Sequence, residues 1–346
     1  MKIDVKKMVD KLNKVRIGLA QRELIEQSTS FLFWGGKIVT YNDEVACSIS
    51  SGLPEDIQFA IPSQEFGELL NHLEESEIDL EVGDGSLKVI GDNKEAVIRT
   101  GDVKISLQGI GEPDQWTKLP DNFWEGVPLV CGACAVDKSQ FVLTCVHLTD
   151  SYLEGTNRFQ VLRYPVQLGE KWQPVIVRSD ALLSLCSFRP MYVSQTEAWL
   201  HFLVGEPGGD EWKVSCRLYR EKYPELDRFF DVKGKRLLLP EKIGEVIDRA
   251  SIFASQQQVI IPYVQVSVKG TQLHVEARGD KGVYKEWLPM EGNNQDLGFY
   301  MSVQVMRDMV KLGCRELIVG DVSVFVDSGS WWWIAAKIRP VEQEQG

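Results

Sequence analysis

Ser302-Val303-Gln304-Val305-Met306-Arg307-Asp308-Met309-Val310-Lys311-Leu312-Gly313 opens the segment whose pattern decides the fold. Val303, Met306 and Val310 fall on one helical face, and Gln304, Arg307, Asp308 and Lys311 fall on the other. Ser302 suits the N-cap, where its hydroxyl can accept from a free N–H of the first turn, and Gly313 suits the stop. Two β-rich runs follow, at 316–327 and 331–338, joined by the turn signal Asp327-Ser328-Gly329-Ser330. The unit to look for elsewhere is therefore an amphipathic helix followed by strands.

It recurs twice upstream. Ser63 opens Ser63-Gln64-Glu65-Phe66-Gly67-Glu68-Leu69-Leu70, followed by predicted strands at 77–82, 87–90 and 95–99. Ser179 opens Ser179-Asp180-Ala181-Leu182-Leu183, followed by strands at 191–194, 198–204 and 212–218. The spacing of the three serines is about 120 residues, the size of a small domain. A second helix-and-strands unit alternates with this one. Residues 2–15 predict a helix with Val5, Met8, Val9, Leu12 and Val15 inward, and strands at 31–33, 37–41 and 44–50. Residues 240–253 predict its counterpart, with Pro240 in the first turn and Ile243, Val246, Ile247 and Ala250 inward. Strands at 264–269, 272–278 and 282–288 follow. A middle copy should begin after Leu119-Pro120, but Gly126, Pro128 and Gly132 make a poor helix there. The expectation is an α+β chain of three repeated domains, 1–118, 119–231 and 232–340, each with two helices packed on antiparallel sheets. An acidic tail at 341–346 is expected to be disordered.

At 346 residues and 44% hydrophobic, the chain can bury several cores. No apolar run approaches a membrane span. The start, Met1-Lys2-Ile3-Asp4-Val5, lacks the apolar core of a signal peptide. Seven cysteines, an odd number at irregular spacing, suit a reducing compartment better than a disulfide framework. The cytoplasm is the expected location. The net charge of −12 excludes a protein that grips nucleic acid with its whole surface, but not one with a local basic face. Charge does segregate: Lys6, Lys7, Lys11, Lys14 and Arg16 crowd the first helix, whereas residues 74–81 are acidic.

Chemistry-bearing motifs are sparse. Cys131-Gly132-Ala133-Cys134 has C-x-x-C spacing, and Cys145 and His147 share one face of a predicted strand downstream. A zinc site needs four converging ligands, and a redox site needs an exposed first cysteine at a helix start. Both cysteines instead lie in an apolar run, where free cysteine behaves as a small hydrophobe. His72, His147, His201 and His274 have no acidic or thiol partners at a recognisable spacing. Gly205-Glu206-Pro207-Gly208-Gly209 reads as a strand-to-strand turn, not a phosphate loop. Trp331-Trp332-Trp333 reads as a strand packing both its faces. No catalytic residue, metal site or cofactor is expected.

Six helix-and-strands units over three domains resemble the bacterial type of DNA sliding clamp, the β subunit of DNA polymerase III. Local sequence carries the resemblance. Arg217-Leu218-Tyr219-Arg220-Glu221-Lys222-Tyr223-Pro224-Glu225-Leu226-Asp227-Arg228-Phe229-Phe230 resembles that family's passage from its second domain to its third. Leu239-Pro240 opens a helix ending Arg249-Ala250-Ser251-Ile252-Phe253-Ala254-Ser255, similar to the family's Arg-Ala-(Ala/Ser)-Ile-Leu-Ser. Gly155-Thr156-Asn157-Arg158-Phe159-Gln160 stands where the family has Ala-Thr-Asp-Gly-His-Arg. That motif's Asp-Gly-His-Arg core is missing, the middle domain's first helix is degraded, and the chain runs past the family's usual end. These departures suit a divergent, phage- or plasmid-encoded member.

The resemblance implies a processivity factor that encircles duplex DNA as a head-to-tail homodimer, meets a clamp loader and a replicative DNA polymerase, and is not an enzyme. It implies a DNA-facing set of Lys7, Lys11, Lys14, Arg22, Lys242, Arg249, Arg307 and Lys311. It implies a partner-peptide pocket at Leu143, Thr156, Phe159, Val161, Pro224, Arg228, Phe229, Trp333, Ala335 and Ala336. It implies a dimer interface with Gln64, Leu70, Val97 and Arg99 on one side and Ile252 and Phe253 on the other. The rival readings are a zinc- or thiol-dependent enzyme built on Cys131, Cys134, Cys145 and His147, and a clamp-like scaffold that does not encircle DNA.

Overall fold

The computed structural model describes residues 1–104, 109–169, 171–207, 211–255, 261–290 and 296–339. The tail at 341–346 and part of the 205–209 turn lie outside them. Among the described residues there are six α-helices: α1 (Val5–Val15), α2 (Ser63–Asn71), α3 (Phe123–Ala133), α4 (Ser179–Leu185), α5 (Ile243–Ala254) and α6 (Val303–Lys311). One strand leads into each helix and three follow it, six times over. The leading strands were not legible in the sequence. Lys2–Asp4, expected as the first turn of α1, is a strand, and the Asp4 side chain caps α1 by accepting from the Lys7 N–H at 3.0 Å.

The chain forms two compact units. The first comprises Met1–Trp124 and Val175–Arg220. One of its sheets orders Lys2–Asp4, Glu77–Gly83, Ser86–Gly91 and Lys94–Arg99. The other runs Val175–Arg178, Trp212–Tyr219, Val45–Ser50, Lys37–Tyr41, Ser30–Trp34 and Phe59–Pro62, with Trp199–Val204, Tyr192–Gln195 and Thr117–Lys118 branching from Trp212–Tyr219. The second unit comprises Glu125–Pro174 and Glu221–Gly346. One of its sheets runs Gly234–Leu238, Glu316–Gly320, Ser323–Asp327, Trp332–Ala336, Gln160–Pro165, Tyr152–Thr156 and Cys145–Leu148. The other orders Gly282–Pro289, Gln272–Gly279, Tyr263–Lys269 and Leu297–Ser302. Every one of these described pairings is antiparallel.

Successive repeats exchange their leading strands. Lys2–Asp4 leads into α1 but pairs with Glu77–Gly83, which follows α2; Phe59–Pro62 leads into α2 but pairs with Ser30–Trp34, which follows α1. Gly234–Leu238 and Leu297–Ser302 make the same exchange around α5 and α6. Neither repeat of such a pair closes its sheet alone, so the two must fold as one body.

The helices bury the faces that their periodicity demands. α1 buries Val5, Met8, Leu12 and Val15, and leaves Val9 half-buried. α6 buries Val303 and Met306 as expected, but Val305 and Met309 replace Val310, which is half-buried at the junction with α5. There Gly244 permits close approach, because a Cβ on it would stand 2.9 Å from Val310 Cγ1. Ser302 occupies the N-cap of α6, yet its hydroxyl makes no capping bond; the Val303 N–H is satisfied instead by the Pro262 carbonyl at 3.1 Å. Ser63 and Ser179 are first helical residues, not caps. Pro240 lies ahead of α5, which begins at Ile243.

Two further expectations are corrected. The middle helix α3 forms despite Gly126, Pro128 and Gly132. Burial outweighs propensity there: Phe123, Trp124, Val127 and Val130 are buried, and the Tyr164 ring fills the space where a Gly126 side chain would stand. The run at 316–327 is two strands, Glu316–Gly320 and Ser323–Asp327, so three strands follow α6. Asp321-Val322 turns the chain, and the buried positions change phase across it, from Leu317 and Val319 to Val324 and Val326; the short, uniformly β-prone run hides that change.

Candidate functional site

The cationic side chains come first. In the first unit, Lys7 is exposed and lies 3.8 Å from Asp4. Lys14 pairs with Asp10 one turn away at 2.7 Å. Lys11 is half-buried, and its ammonium donates to the Ser51 carbonyl at 3.3 Å. Arg22 is exposed in the connection after α1. In the second unit, Lys242 and Lys311 are exposed at the start of α5 and the end of α6. Arg307 donates to Asp248 at 3.1 Å and to Ser251 at 2.6 Å. Arg249 lies across the sheet edge, donating to both carboxylate oxygens of Glu286 and to the Tyr284 hydroxyl, and these bonds hold its guanidinium firmly protonated. A groove of about 280 Å³ between α5 and α6 is lined by Gly244, Ile247, Asp248, Gln304, Arg307, Val310 and Lys311.

The residues assigned to a peptide pocket all fall within the second unit and divide into two groups. Thr156, Val161, Trp333 and Ala335 are buried. Trp333 is fully enclosed and donates through Nε1 to Gln160 Oε1 at 2.9 Å, so it belongs to the sheet interior instead of an open wall. Ala335 is opposite Gln160 in register and 1% exposed, so its small size leaves no open space. Phe159, Pro224, Arg228, Phe229 and Ala336 are exposed, and Leu143 is half-buried. Arg228 stacks over the Phe229 ring at 4.8 Å, and the Ala336 N–H bonds the Phe159 carbonyl at 2.9 Å. The exposed rings Phe159 and Phe229, 38% and 43% accessible, are what this region offers a partner.

The interface candidates sit at sheet edges and helix faces. Lys94–Arg99 has one described neighbour, and so does Gly282–Pro289, so each sheet ends on an open edge. Val97 is exposed on the first edge, and Ile252 is 60% exposed beside the second. Phe253 stacks on Tyr284 at 5.6 Å. Gln64 and Arg99 are exposed, whereas Leu70 points into the core.

The thiols engage backbone carbonyls. Cys134 Sγ donates towards Val130 O at 3.5 Å and Cys145 O at 3.4 Å, and Cys145 Sγ towards Phe141 O at 3.7 Å. His147 stacks flat on Tyr223 at 4.7 Å. Among the described residues no three His, Cys, Asp or Glu side chains converge on a metal position. His201, fully buried, lies between Thr196 and Ser215 hydroxyls at 3.1 and 2.7 Å. Burial first and the Lys213 charge second push its pKa down to about 4, with Glu112 opposing.

Sequence reasoning missed one cluster. Glu154 and Arg163 face each other on adjacent strands, and the same guanidinium reaches Asp227 at 2.7 Å. Its carbon lies 4.0 Å from the Tyr152 ring centre and 4.4 Å from that of Phe230. Asp227 and Phe230 belong to the segment leading to Gly234–Leu238, so this cluster fastens that segment to the sheet. Opposite charges at facing positions of two apolar strands were the available signal.

By sequence, no protein-family model and no curated protein matches the chain. By structure, the chain is similar to the DNA polymerase sliding clamp of Bacillus subtilis, at TM-score 0.82 and 14% identity over 98% of this chain and 99% of that one. It is similar to the sliding clamp, DNA polymerase III subunit beta, of Pseudomonas aeruginosa bound to griselimycin, at TM-score 0.83 and 14% identity over the same shares. A putative DNA polymerase III beta subunit from Eubacterium rectale matches at TM-score 0.81 and 12% identity, again over 98% and 99%. The fold is the sliding-clamp fold along nearly the whole chain.

Proposed function

We propose that this protein is a DNA polymerase processivity factor. Two copies close head to tail into a ring that encircles duplex DNA without reading its sequence. The ring tethers a replicative DNA polymerase, and other replication and repair proteins, through exposed apolar surface. The observation that carries this reading is the full-length correspondence with sliding clamps, 98% of this chain at TM-score 0.82, built here from six repeats of one unit. Such a protein works by topology, so it needs no catalytic group and no cofactor, and a net charge of −12 is no obstacle.

The exchange of leading strands in the first and last pairs of repeats supports a three-domain division near 1–118, 119–231 and 232–340, with the first boundary moved to just before Thr117–Lys118, because that strand leads into α3 and pairs with Tyr192–Gln195. The two open sheet edges support the dimer: a second copy can pair Lys94–Arg99 with Gly282–Pro289 and extend both sheets. Ile252 and Phe253 on α5, with Gln64 on α2 and Val97 and Arg99 on the first edge, would flank that joint, with Leu70 beneath. The duplex side would be the polar helix faces, with Lys7, Lys11, Lys14, Arg22, Lys242, Arg249, Arg307 and Lys311. Phe159, Arg228 and Phe229 would receive a partner's peptide. A clamp loader would open the ring, and the bacterial cytoplasm is where such a protein works. Among the described residues no helix is long and apolar enough to cross a membrane.

Retention on closed DNA tests the proposal. Protein assembled on a nicked circular plasmid should co-elute with it at moderate salt and come free when the plasmid is cut once. Equal retention on linear and circular DNA would refute encirclement.

A further inference from the structure

We infer that a second copy of this chain docks on the Lys94–Arg99 edge in one fixed register, which places Val97 opposite Val283 and Glu95 opposite Lys285 of the other copy. This rests on the clamp reading above and adds the contacts that select the partner. The repeats single out the edges. Three strands follow each helix, and the third of them carries the joints within the chain. Val45–Ser50, third after α1, pairs with Trp212–Tyr219, third after α4. Gln160–Pro165, third after α3, pairs with Trp332–Ala336, third after α6. Each joint sets an odd-numbered repeat against an even-numbered one. Among the described residues, Gly282–Pro289, third after α5, and Lys94–Arg99, third after α2, pair with no strand of another repeat.

The turns fix the register. In the odd repeats a two-residue turn leads into the third strand: Asp43-Glu44, Arg158-Phe159 and Asp280-Lys281. The residues just after it, Val45, Gln160 and Gly282, are therefore equivalent. In the even repeats a two-residue turn joins the first two strands: Asp84-Gly85, Glu197-Ala198 and Asp321-Val322. The second residue after that turn is Leu87, Leu200 or Val324, and it faces Ile98, Cys216 or Ala335 on the third strand. Both joints within the chain pair these two landmarks, Val45 with Cys216 and Gln160 with Ala335. The same rule sets Gly282 opposite Ile98 between copies. Antiparallel pairing then carries Val97 to Val283, Ala96 to Tyr284, Glu95 to Lys285 and Lys94 to Glu286.

The side chains agree with a register they took no part in fixing. Val97 and Val283 are exposed apolar residues that cover each other. Ala96 leaves room beside the Tyr284 ring, which Phe253 already backs. Glu95 with Lys285, and Lys94 with Glu286, are opposite charges at facing positions. The first pair joins two existing ion pairs, Lys88–Glu95 at 2.8 Å and Glu276–Lys285 at 3.2 Å, into one row of alternating sign. The second links Glu75, 2.8 Å from Lys94, to Arg249, 2.9 Å from Glu286. Arg99 falls opposite a like charge, Lys281, where the turn ends the ladder. A slip of two residues sets Glu95 against Val283 or Trp287, and a slip of one turns every inward side chain outward.

Two measurements on the full-length protein test the register. Val97→Cys with Val283→Cys should form a disulfide between copies on mild oxidation, identified by mass after digestion, because facing positions lie within bridging reach. Glu95→Cys with Val283→Cys, two residues out of register, should not. Separately, Glu95→Lys or Lys285→Glu alone sets like charges together at both joints and should weaken dimerisation about tenfold by sedimentation. Mixing these two variants puts opposite charges at both joints and should restore the parent's affinity as a heterodimer. Thermal midpoints close to the parent's check that the variants fold. If the parent is a dimer but the facing cysteines stay unlinked, the offset pair links as well, or mixing restores nothing, this inference falls alone. If the parent stays monomeric, the clamp reading and this inference fall together.

Discussion

Arg163 donates through Nε to Oε2 of Glu154 at 2.7 Å, between facing strands, with both side chains nearly enclosed at 11% and 2% accessible. The same guanidinium is stacked between Tyr152 and Phe230 and reaches Asp227, so one buried cation joins the sheet to the segment after Arg220. Burial works to lower the Arg163 pKa, but Glu154 and Asp227 reverse that and hold it charged.

Arg163→Ala strands the enclosed Glu154 carboxylate and is expected to cost roughly 3–5 kcal/mol in denaturant unfolding, whereas Glu154→Ala leaves Arg163 paired with Asp227 and should cost less. The double variant should cost clearly less than the two singles added together, because no unpaired charge remains. Strict additivity would mean that the pair is not coupled.

His201 sets an acid limit. Its folded pKa of about 4 lies below the ordinary 6.5, so the unfolded chain binds the extra proton. Stability should be complete above pH 6.5, fall as pH drops from 6.5 towards 4, and lose no more from this group below that. The loss is about 3 kcal/mol at most. His201→Gln should remove this slope from unfolding measured across that range; an unchanged slope would assign it to other groups.

The exposed rings should matter to partners and the buried ones to stability. Phe159→Ala and Phe229→Ala should each weaken binding of the cognate polymerase tenfold or more, by titration calorimetry, without changing the assembly. Ala335→Trp should instead destabilise the fold by about 1–3 kcal/mol, because no space stands open at that position. Normal stability in Ala335→Trp with lost polymerase binding would place an open pocket there after all.

Helix faces were legible because burying an apolar stripe leaves a 3.6-residue record: Val5, Met8, Leu12 and Val15 are all inward. The Trp331-Trp332-Trp333 run was expected to pack both its faces, but Trp332 is exposed while Trp331 and Trp333 are buried, because a run of one residue type shows no period to say which face is inward. The leading strands were not legible, because Lys2–Asp4 and Thr117–Lys118 are too short to show a period and take their pairing from distant partners. α3 was misjudged because propensity is local while its burial comes from Tyr164 and other distant residues. At the site, residue types were readable and their commitments were not: nothing near Arg249 in sequence announces Glu286, 37 residues on.

The joint between chains should depend on α5. Ile252→Ala with Phe253→Ala removes an exposed apolar side chain and the ring stacked on Tyr284. The double variant should shift sedimentation from dimer towards monomer at concentrations where the parent stays dimeric. Sedimentation identical to the parent would move the joint elsewhere.

Single-particle images of the purified full-length protein test the central claim most directly. The account predicts closed two-chain rings with a central hole wide enough for duplex DNA. Compact particles without a hole, at concentrations where sedimentation reports the dimer, would contradict it.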